Sequence, residues 1–149
     1  MLGMLSETQI NNLLTRNAVG RIGYHDGKRT YITPVTYVFD GVYVVCQSNP
    51  GLKLDIMRKN PFVCFEVDSM TSMSNWESVI AWGHFEELYG DDALRARTYL
   101  YNGILDLLTV DAVHPHEHDA SPAPDDSNRI KEVMYRIKLT EKTGRFEKR

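Results

Sequence analysis

The stretch VYVVCQSNPGLK, residues 42–53, changes its hydrophobic pattern within a single run of sequence. Its first half is rich in β-branched and aromatic residues, which favour a strand. The Asn-Pro-Gly sequence then breaks the strand, and apolar residues recur at helical spacing as far as Asn60, where the following proline disfavours helical geometry. We therefore predict a strand over 42–48 that leads directly into a helix over 51–60.

Two further strands are predicted upstream of this stretch, over 19–25 and 30–40. Asp-Gly pairs separate the three runs, and Asp-Gly is a strong signal for a short hairpin turn. Before the first strand, Ser6 and Gln9 have the spacing of a capping box, which predicts a helix that ends near Asn17. The first half of the chain is therefore expected to be a helix followed by an antiparallel meander.

The second half is predicted to contain strands over 62–67, 78–88 and 133–139, a loop over 68–77, a helix over 91–110 and a mobile, proline-rich loop over 114–128. The strands over 62–67 and 78–88 are almost continuously apolar, which indicates that both of their faces are covered. The last strand is expected to continue through a turn at Thr143-Gly144. About six strands with short hairpins and flanking helices predict a mostly β domain over 1–149, built as a small antiparallel barrel.

Composition narrows the classes of function. The formal net charge is −3, and the basic residues are scattered, so the chain lacks the field of a nucleic-acid-binding protein. No run approaches the roughly 20 apolar residues of a membrane span, and the N-terminus has no secretory-signal pattern. The two cysteines, Cys46 and Cys64, lie in apolar runs and are expected to be inert core thiols in a reducing compartment. These features predict a cytoplasmic protein.

The strand-to-helix break at residues 46–53 is the strongest candidate site. The first turn of a helix carries unpaired N–H groups and a partial positive charge, which suit an anion. Pro50 is expected at or near the first helical position, Gly51 lets a ligand approach the backbone, Ser48 offers a hydroxyl, and Lys53 adds a full charge. These groups suit a phosphate, although an ordinary helix start with a solvated lysine has the same pattern.

Two other features could contact a ligand. Pro34 removes a hydrogen-bond donor from the middle of a predicted strand, which places that strand at an edge. A flat aromatic ligand could lie along such an edge, although a protected edge strand explains the proline equally well. Trp76 and Trp82 share one strand face; we expect Trp82 in the core and Trp76, at the end of the predicted loop, to cover a cleft.

The histidine run His114, His116 and His118 has the composition of a metal site but lies in the predicted mobile loop. An incidental or labile site is expected there, and we predict no built metal centre. The sequence has no dinucleotide-binding fingerprint, Walker loop or serine elbow. No side chain is an obvious general acid or base, so no catalytic residue is assigned.

Residues 42–53 together with 57–68 resemble the FMN-binding split-barrel flavoproteins of the pyridoxamine-phosphate-oxidase-like superfamily. The nitroimidazole-resistance (Nim-like) branch is the most similar in pattern. Residues 19–23, 78–88 and the C-terminal runs 135–138 and 143–145 agree with the same family. The resemblance spans nearly the whole chain, and it implies a six-stranded antiparallel split barrel.

The resemblance also implies a homodimer with FMN sites at the subunit interface. The residues expected at the cofactor are Thr33, Pro34, Val35 and Thr36 beside the ring, Gln47, Ser48 and Lys53 at the phosphate and ribityl tail, and Trp76 and Ser78 from the same or the partner subunit. Lysine can hold a phosphate dianion as a point charge. The flavin itself would carry out the electron or hydride transfer.

Two departures from the family pattern limit the reading of function. Gln47 stands where many Nim-like relatives carry a histidine, which weakens any role that depends on that imidazole, such as nitro-group reduction or haem ligation. The C-terminal residues 143–149 do not match the arginine-containing segment of pyridoxamine-phosphate oxidase, which disfavours vitamin B6 oxidation. We therefore expect an FMN-dependent, NAD(P)H-reduced oxidoreductase acting on a small organic acceptor. A non-enzymatic flavin or haem binder and a histidine-based metal binder are the alternatives.

Overall fold

The computed structural model describes residues 1–110 and 132–149. The predicted loop over 114–128 and its three histidines lie outside the described residues. The elements are, in chain order, β1 (Leu2–Met4), α1 (Glu7–Arg16), β2 (Val19–His25), β3 (Thr30–Phe39), β4 (Tyr43–Ser48), α2 (Leu52–Lys59), β5 (Phe62–Ser72), β6 (Asn75–Glu87), α3 (Gly90–Val110) and β7 (Val133–Glu147). The predicted capping box is present at the start of α1, where Ser6 and Gln9 exchange hydrogen bonds.

Six of these strands close into an antiparallel barrel in the order β7-β4-β3-β2-β5-β6, and β6 pairs back onto β7. The short strand β1 adds a seventh strand by pairing with the C-terminal end of β7. The prediction of a mostly β antiparallel barrel with flanking helices is therefore confirmed. The sequence did not indicate β1, because a three-residue strand is defined by its partner rather than by its own pattern.

The barrel interior is one continuous hydrophobic core. The helices α1 and α2 contribute Leu13, Leu14, Leu54 and Met57 to it, all with no exposed surface. The third helix, α3, lies outside the barrel and packs on β3, β4 and β7. Its Leu100 belongs to a second, smaller core on that side. Both faces of β4 are therefore covered, one by the barrel core and one by α3. In contrast, β2, β5 and the first half of β3 carry no helix on the outside.

The barrel is split between β3 and β4. These strands pair only at Tyr37–Phe39 with Val44–Cys46, so residues 30–36 of β3 pair with β2 alone. We call residues 30–36 the free edge. Tyr37 N–H donates to the Ala18 carbonyl on the β2 side at 2.9 Å. Since N–H groups alternate along a strand, those of Ile32 and Thr36 point towards the free side, where Pro34 lacks a donor.

Two sequence predictions are wrong at strand ends. The segment predicted as a loop over 68–77 is mostly strand, because β5 continues to Ser72 and β6 begins at Asn75. The pairing of this hairpin with itself and with the end of β7 supplies the hydrogen bonds that its polar sequence did not predict. The turn predicted at Thr143-Gly144 is absent from the described chain, since β7 runs unbroken to Glu147.

Gly144 is needed for the packing of α1 rather than for a turn. A Cβ atom at this position would lie 2.8 Å from side-chain atoms of both Ile10 and Leu5. Such a separation is shorter than a van der Waals contact, so a side chain here would push the N-terminal helix away from the sheet.

The outer surface of β2, β3, β5 and β6 leaves large apolar side chains exposed. Ile32 is 70% exposed, Phe62 66%, Ile80 42% and Trp82 40%. We call these four residues the outer patch. The prediction that both faces of β5 and β6 are covered is wrong for the single chain, where burial alternates along each strand, and Trp82 is not a core residue. Large apolar side chains exposed together on one face of a sheet indicate an interaction surface.

Candidate functional site

The break after β4 leaves the first turn of α2 without a side-chain cap. Gly51 is the N-cap residue, and no side chain bonds to the helix start there. The first intrahelical bond runs from the Asp55 N–H to the Gly51 carbonyl at 3.1 Å. The N–H groups of residues 52–54 therefore lack helical partners and are free to bind an anion. Pro50 directly precedes the N-cap, two residues before the first helical position, and the prediction placed it at or near that position.

Lys53 adds a positive charge to this first turn. Its side chain is half-buried, and burial lowers its pKa, while the neighbouring Cys46 thiol acts in the opposite direction. Within residues 1–110 and 132–149, no carboxylate lies within ion-pair distance of the Lys53 ammonium group. A partly desolvated and unpaired cation favours an anionic ligand, because such a ligand would replace the lost hydration.

The two residues that end β4 face opposite sides of the strand. Val44 and Cys46 point into the barrel, so alternation places Ser48 on the inner side and Gln47 on the side of α3. Ser48 Oγ donates to the Asn49 carbonyl at 3.2 Å. Gln47 Nε2 donates instead to the Glu132 carboxylate. The structure therefore brings Ser48 and Lys53 to the same strand-to-helix break and turns the Gln47 side chain towards the helix on the outside.

The predicted ring-contacting residues lie along the free edge. Val35 points into the core, and Thr33 Oγ1 donates to the Tyr24 hydroxyl at 3.0 Å. Pro34 and Thr36 point to the outer face and are exposed. The backbone groups of Thr33 and Val35 point to β2, so of these four residues only Pro34, through its carbonyl, and Thr36 direct backbone groups to the free side. This arrangement suits a planar ligand with hydrogen-bonding edges.

Trp76 and Ser78 lie on β6, on the same outer face but away from the free edge. Two strands, β2 and β5, separate β6 from β3, which corresponds to roughly 14 Å across the sheet at about 4.8 Å per strand. Both residues are half-buried. A single chain therefore does not bring Trp76 and Ser78 to the same ligand as Thr36.

A charged cluster lies between these two parts of the outer face. Arg21 on β2 approaches Glu66 at 3.5 Å and Asp68 at 3.7 Å, and Ser78 Oγ lies 3.4 Å from Glu66. Burial and the neighbouring Asp68 carboxylate raise the pKa of Glu66 to about 7, against the opposing effects of Arg21 and Ser78. This cluster was not predicted from the sequence. Charged residues at outward positions of otherwise apolar strands could have indicated it.

The Glu66→Gln substitution is expected to change how stability depends on pH. Because the pKa of Glu66 is raised in the folded chain, folding favours its protonated form. Stability should therefore fall as the pH rises from the ordinary pKa of 4.5 to about 7, and this contribution should be constant above that range. Glu66→Gln should flatten this part of the profile and raise the melting temperature at pH 8, as measured by thermal unfolding across pH. An unchanged profile would contradict the assignment.

The free edge, the uncapped start of α2 and the unpaired Lys53 together define a split barrel with a candidate ligand-binding site. The family model described as pyridoxamine 5'-phosphate oxidase matches residues 6–146, and the chain belongs to this family. The family resemblance found in the sequence is therefore confirmed. An uncharacterized protein of Rhizobium meliloti (strain 1021) is 31% identical over 85 residues, which are 57% of this chain. The match spans 56% of that relative's length.

Two solved structures share the fold over nearly the whole chain. A FAD-binding protein from Mesorhizobium loti is 25% identical, with a TM-score of 0.77, and the match covers 100% of this chain and 98% of the other. A structure from Bacteroides thetaiotaomicron, described as a 5-nitroimidazole antibiotic resistance protein, is 14% identical with a TM-score of 0.68, and the match covers 98% of this chain and 87% of the other. The second likeness shows the fold alone.

Proposed function

We propose that this protein binds FMN at the split of the barrel and acts as an NAD(P)H-dependent oxidoreductase on a small organic acceptor. The observation that carries the proposal is the half-buried, unpaired Lys53 in the uncapped first turn of α2. A terminal phosphate would receive the free amides of this turn and the charge of Lys53. The name of the Mesorhizobium loti protein, with which this chain shares 25% identity, supports a flavin as the ligand.

The residues present fit a flavin in two further respects. The free edge offers backbone donors and acceptors, interrupted by Pro34, to the hydrogen-bonding rim of a flat ring. In the sequence, Ser48 lies between the free edge and the first turn of α2, where we propose that the phosphate binds. When bound, the flavin supplies the redox chemistry, while the chain binds and orients it and controls access to it.

A homodimer forms part of the proposal. The outer patch and the charged cluster around Arg21 lie on one face of the barrel that no helix of the described chain covers. Packing this face on a second copy would bury the apolar side chains. It would also allow Trp76 and Ser78 of one subunit to approach the free edge of the other, which they do not approach within one chain.

A cytoplasmic location is also part of the proposal. Both cysteines are free thiols, which fits a reducing compartment. None of the helices in the described ranges is long and apolar enough to span a membrane.

Titration of the purified protein with FMN, FAD and riboflavin tests the cofactor. Riboflavin lacks the phosphate, so we expect it to bind at least about a hundredfold more weakly than FMN, as measured by flavin fluorescence and the shift of the visible bands. Equal affinity for riboflavin and FMN would contradict the phosphate site. Tighter binding of FAD than of FMN would identify FAD as the cofactor.

A non-enzymatic flavin or haem binder is the second candidate function. The observation that favours it is the lack of a catalytic constellation among the described residues of the candidate site, from which the Gln47 side chain turns away towards α3 and Glu132. The described residues along the free edge include no general acid or base. Steady consumption of NAD(P)H by the FMN-loaded protein with a quinone or nitro compound would support the oxidoreductase. Absence of turnover with a range of acceptors would favour the binder.

A further inference from the structure

The outward side chains of β3, β2, β5 and β6 form rows across the face that carries the outer patch. In one row, the residues that lie side by side on these four strands are Pro34, Arg21, Glu66 and Ile80. This row has an apolar residue at each end and opposite charges on its two central strands. In the next row, Ile32 and Trp82 of the outer patch occupy the two ends.

The charged side chains at the centre of this face are within reach of a second molecule. The side chain of Arg21 is 51% exposed and that of Glu66 is 27% exposed, and their charged atoms lie 3.5 Å apart. Asp68, the next outward residue of β5, lies 3.7 Å from the same guanidinium group. The face therefore has a basic strand, β2, directly beside an acidic strand, β5.

We propose that two copies of the chain pack these faces together about a two-fold axis that runs parallel to the strands, between β2 and β5. Sheets that pack face to face keep their strands aligned within roughly 30°. An axis in this position lays β5 of one subunit over β2 of the other, and β6 over β3. Arg21 then meets the partner's Glu66, and the symmetry repeats the contact with the roles exchanged. The inference rests on the proposed homodimer and specifies its geometry.

The apolar ends of the rows match in the same arrangement. Because β6 lies over β3 of the other subunit, Ile32 packs against the partner's Trp82, and Pro34 lies opposite the partner's Ile80. Ile32 and Trp82 are exposed in the single chain, so this packing buries both. One rotation axis therefore pairs opposite charges at the centre of the face and apolar side chains at its two sides.

Other two-fold arrangements of this face bring like charges together. An axis along β2 or β5, or an axis across the strands, lays at least one of these two strands on its own copy. On the described strands, the outward residues of β2 include no carboxylate, and those of β5 include no lysine or arginine. Like charges juxtaposed across an interface oppose association. Charge complementarity therefore favours the axis between β2 and β5.

Charge reversal tests this geometry at pH 8, above the pKa of Glu66. Arg21→Glu sets a carboxylate against the partner's Glu66 at two symmetric contacts, so the dissociation constant of the dimer should rise at least about a hundredfold. Glu66→Arg should weaken the dimer similarly, because two guanidinium groups then meet. An equimolar mixture of the two variants should recover dimers, since the acidic chain meets the basic chain at both contacts. Sedimentation velocity measures dimerisation, and native mass spectrometry identifies the heterodimer.

The mixture separates contacts between subunits from contacts within one chain. Each variant chain still carries like charges side by side, so recovery of dimers requires pairing between the chains. Arg95→Glu is the matched control, because Arg95 is exposed on α3 and pairs with Asp92. This change should leave the dissociation constant within about threefold of the wild-type value. Circular dichroism verifies that every variant is folded.

Three results would overturn the proposed geometry. If the wild type is dimeric and Arg21→Glu dimerises as tightly, the two subunits meet in a different arrangement, although the homodimer itself stands. If both variants are monomeric and their mixture contains no heterodimer, Arg21 and Glu66 do not meet across the interface. A wild-type protein that is monomeric at all concentrations contradicts the homodimer and this geometry together.

Discussion

Replacing Lys53 with glutamate is expected to abolish FMN binding while the barrel stays folded. The substitution removes the cation at the first turn of α2 and puts a like charge against the phosphate. Loss of one partner of a hydrogen-bonded charge pair, with repulsion added, should weaken binding by at least about a hundredfold. The fold should tolerate the change, because Lys53 has no ion-pair partner in the described ranges that would be left behind. Flavin fluorescence titration measures the affinity.

Lys59→Glu is the matched control for this experiment. Lys59 lies in the same helix but in its last turn, and it is exposed. The same charge change there should leave FMN affinity within about threefold, because a screened surface charge acts weakly at a distance. Lys53→Met removes the attraction to the phosphate without adding repulsion. Its affinity for FMN should therefore lie between those of the wild type and Lys53→Glu. If Lys53→Glu bound FMN as tightly as the wild type, the phosphate would have to lie elsewhere.

Replacing Ile32 with glutamate is expected to convert the protein to a monomer. Ile32 is 70% exposed in the single chain and belongs to the outer patch, so the change removes little from the core. In the proposed dimer, however, the carboxylate would be buried against apolar side chains without a partner, at a cost of several kcal/mol. Size-exclusion chromatography with light scattering should show a dimer for the wild type and a monomer for Ile32→Glu. FMN affinity should fall with dissociation if both subunits contribute to the site.

Leu94→Glu provides the control for the dimer experiment. Leu94 is 63% exposed on α3, the helix that packs on β3, β4 and β7, and it does not belong to the outer patch. Its replacement should leave the protein dimeric. A wild-type protein that is monomeric at all concentrations would contradict the proposed assembly. A dimer that survives Ile32→Glu unchanged would show that a different surface forms the interface.

The sequence predicted the barrel well because its signals are local. The Asp-Gly turns, the β-branched runs and the Asn-Pro-Gly break each specify a hairpin or a strand-to-helix junction within a few residues. Local sequence signals did not predict the structure where pairing with a strand distant in sequence determines it. The hairpin tip around Met70 and Trp76 looks like a loop in isolation, and it is a strand because β7 pairs with β6 there.

The candidate site shows the same division. Lys53 and Gly51 could be found because they follow one another along a helix start. The orientation of Gln47 towards α3 could be anticipated from strand alternation, but its partner Glu132 is 85 residues away.

The length of β7 has a consequence for how the molecule folds. This one strand pairs with β1, β4 and β6, so the ring of hydrogen bonds cannot close before it is in place. During synthesis, the nascent chain up to β6 can therefore form only an open sheet, in which β4 and β6 are unpaired edge strands. Contacts between segments so far apart in sequence make folding slow. Until β7 emerges from the ribosome, these two edge strands are open to aggregation, and a chaperone would be needed to protect them.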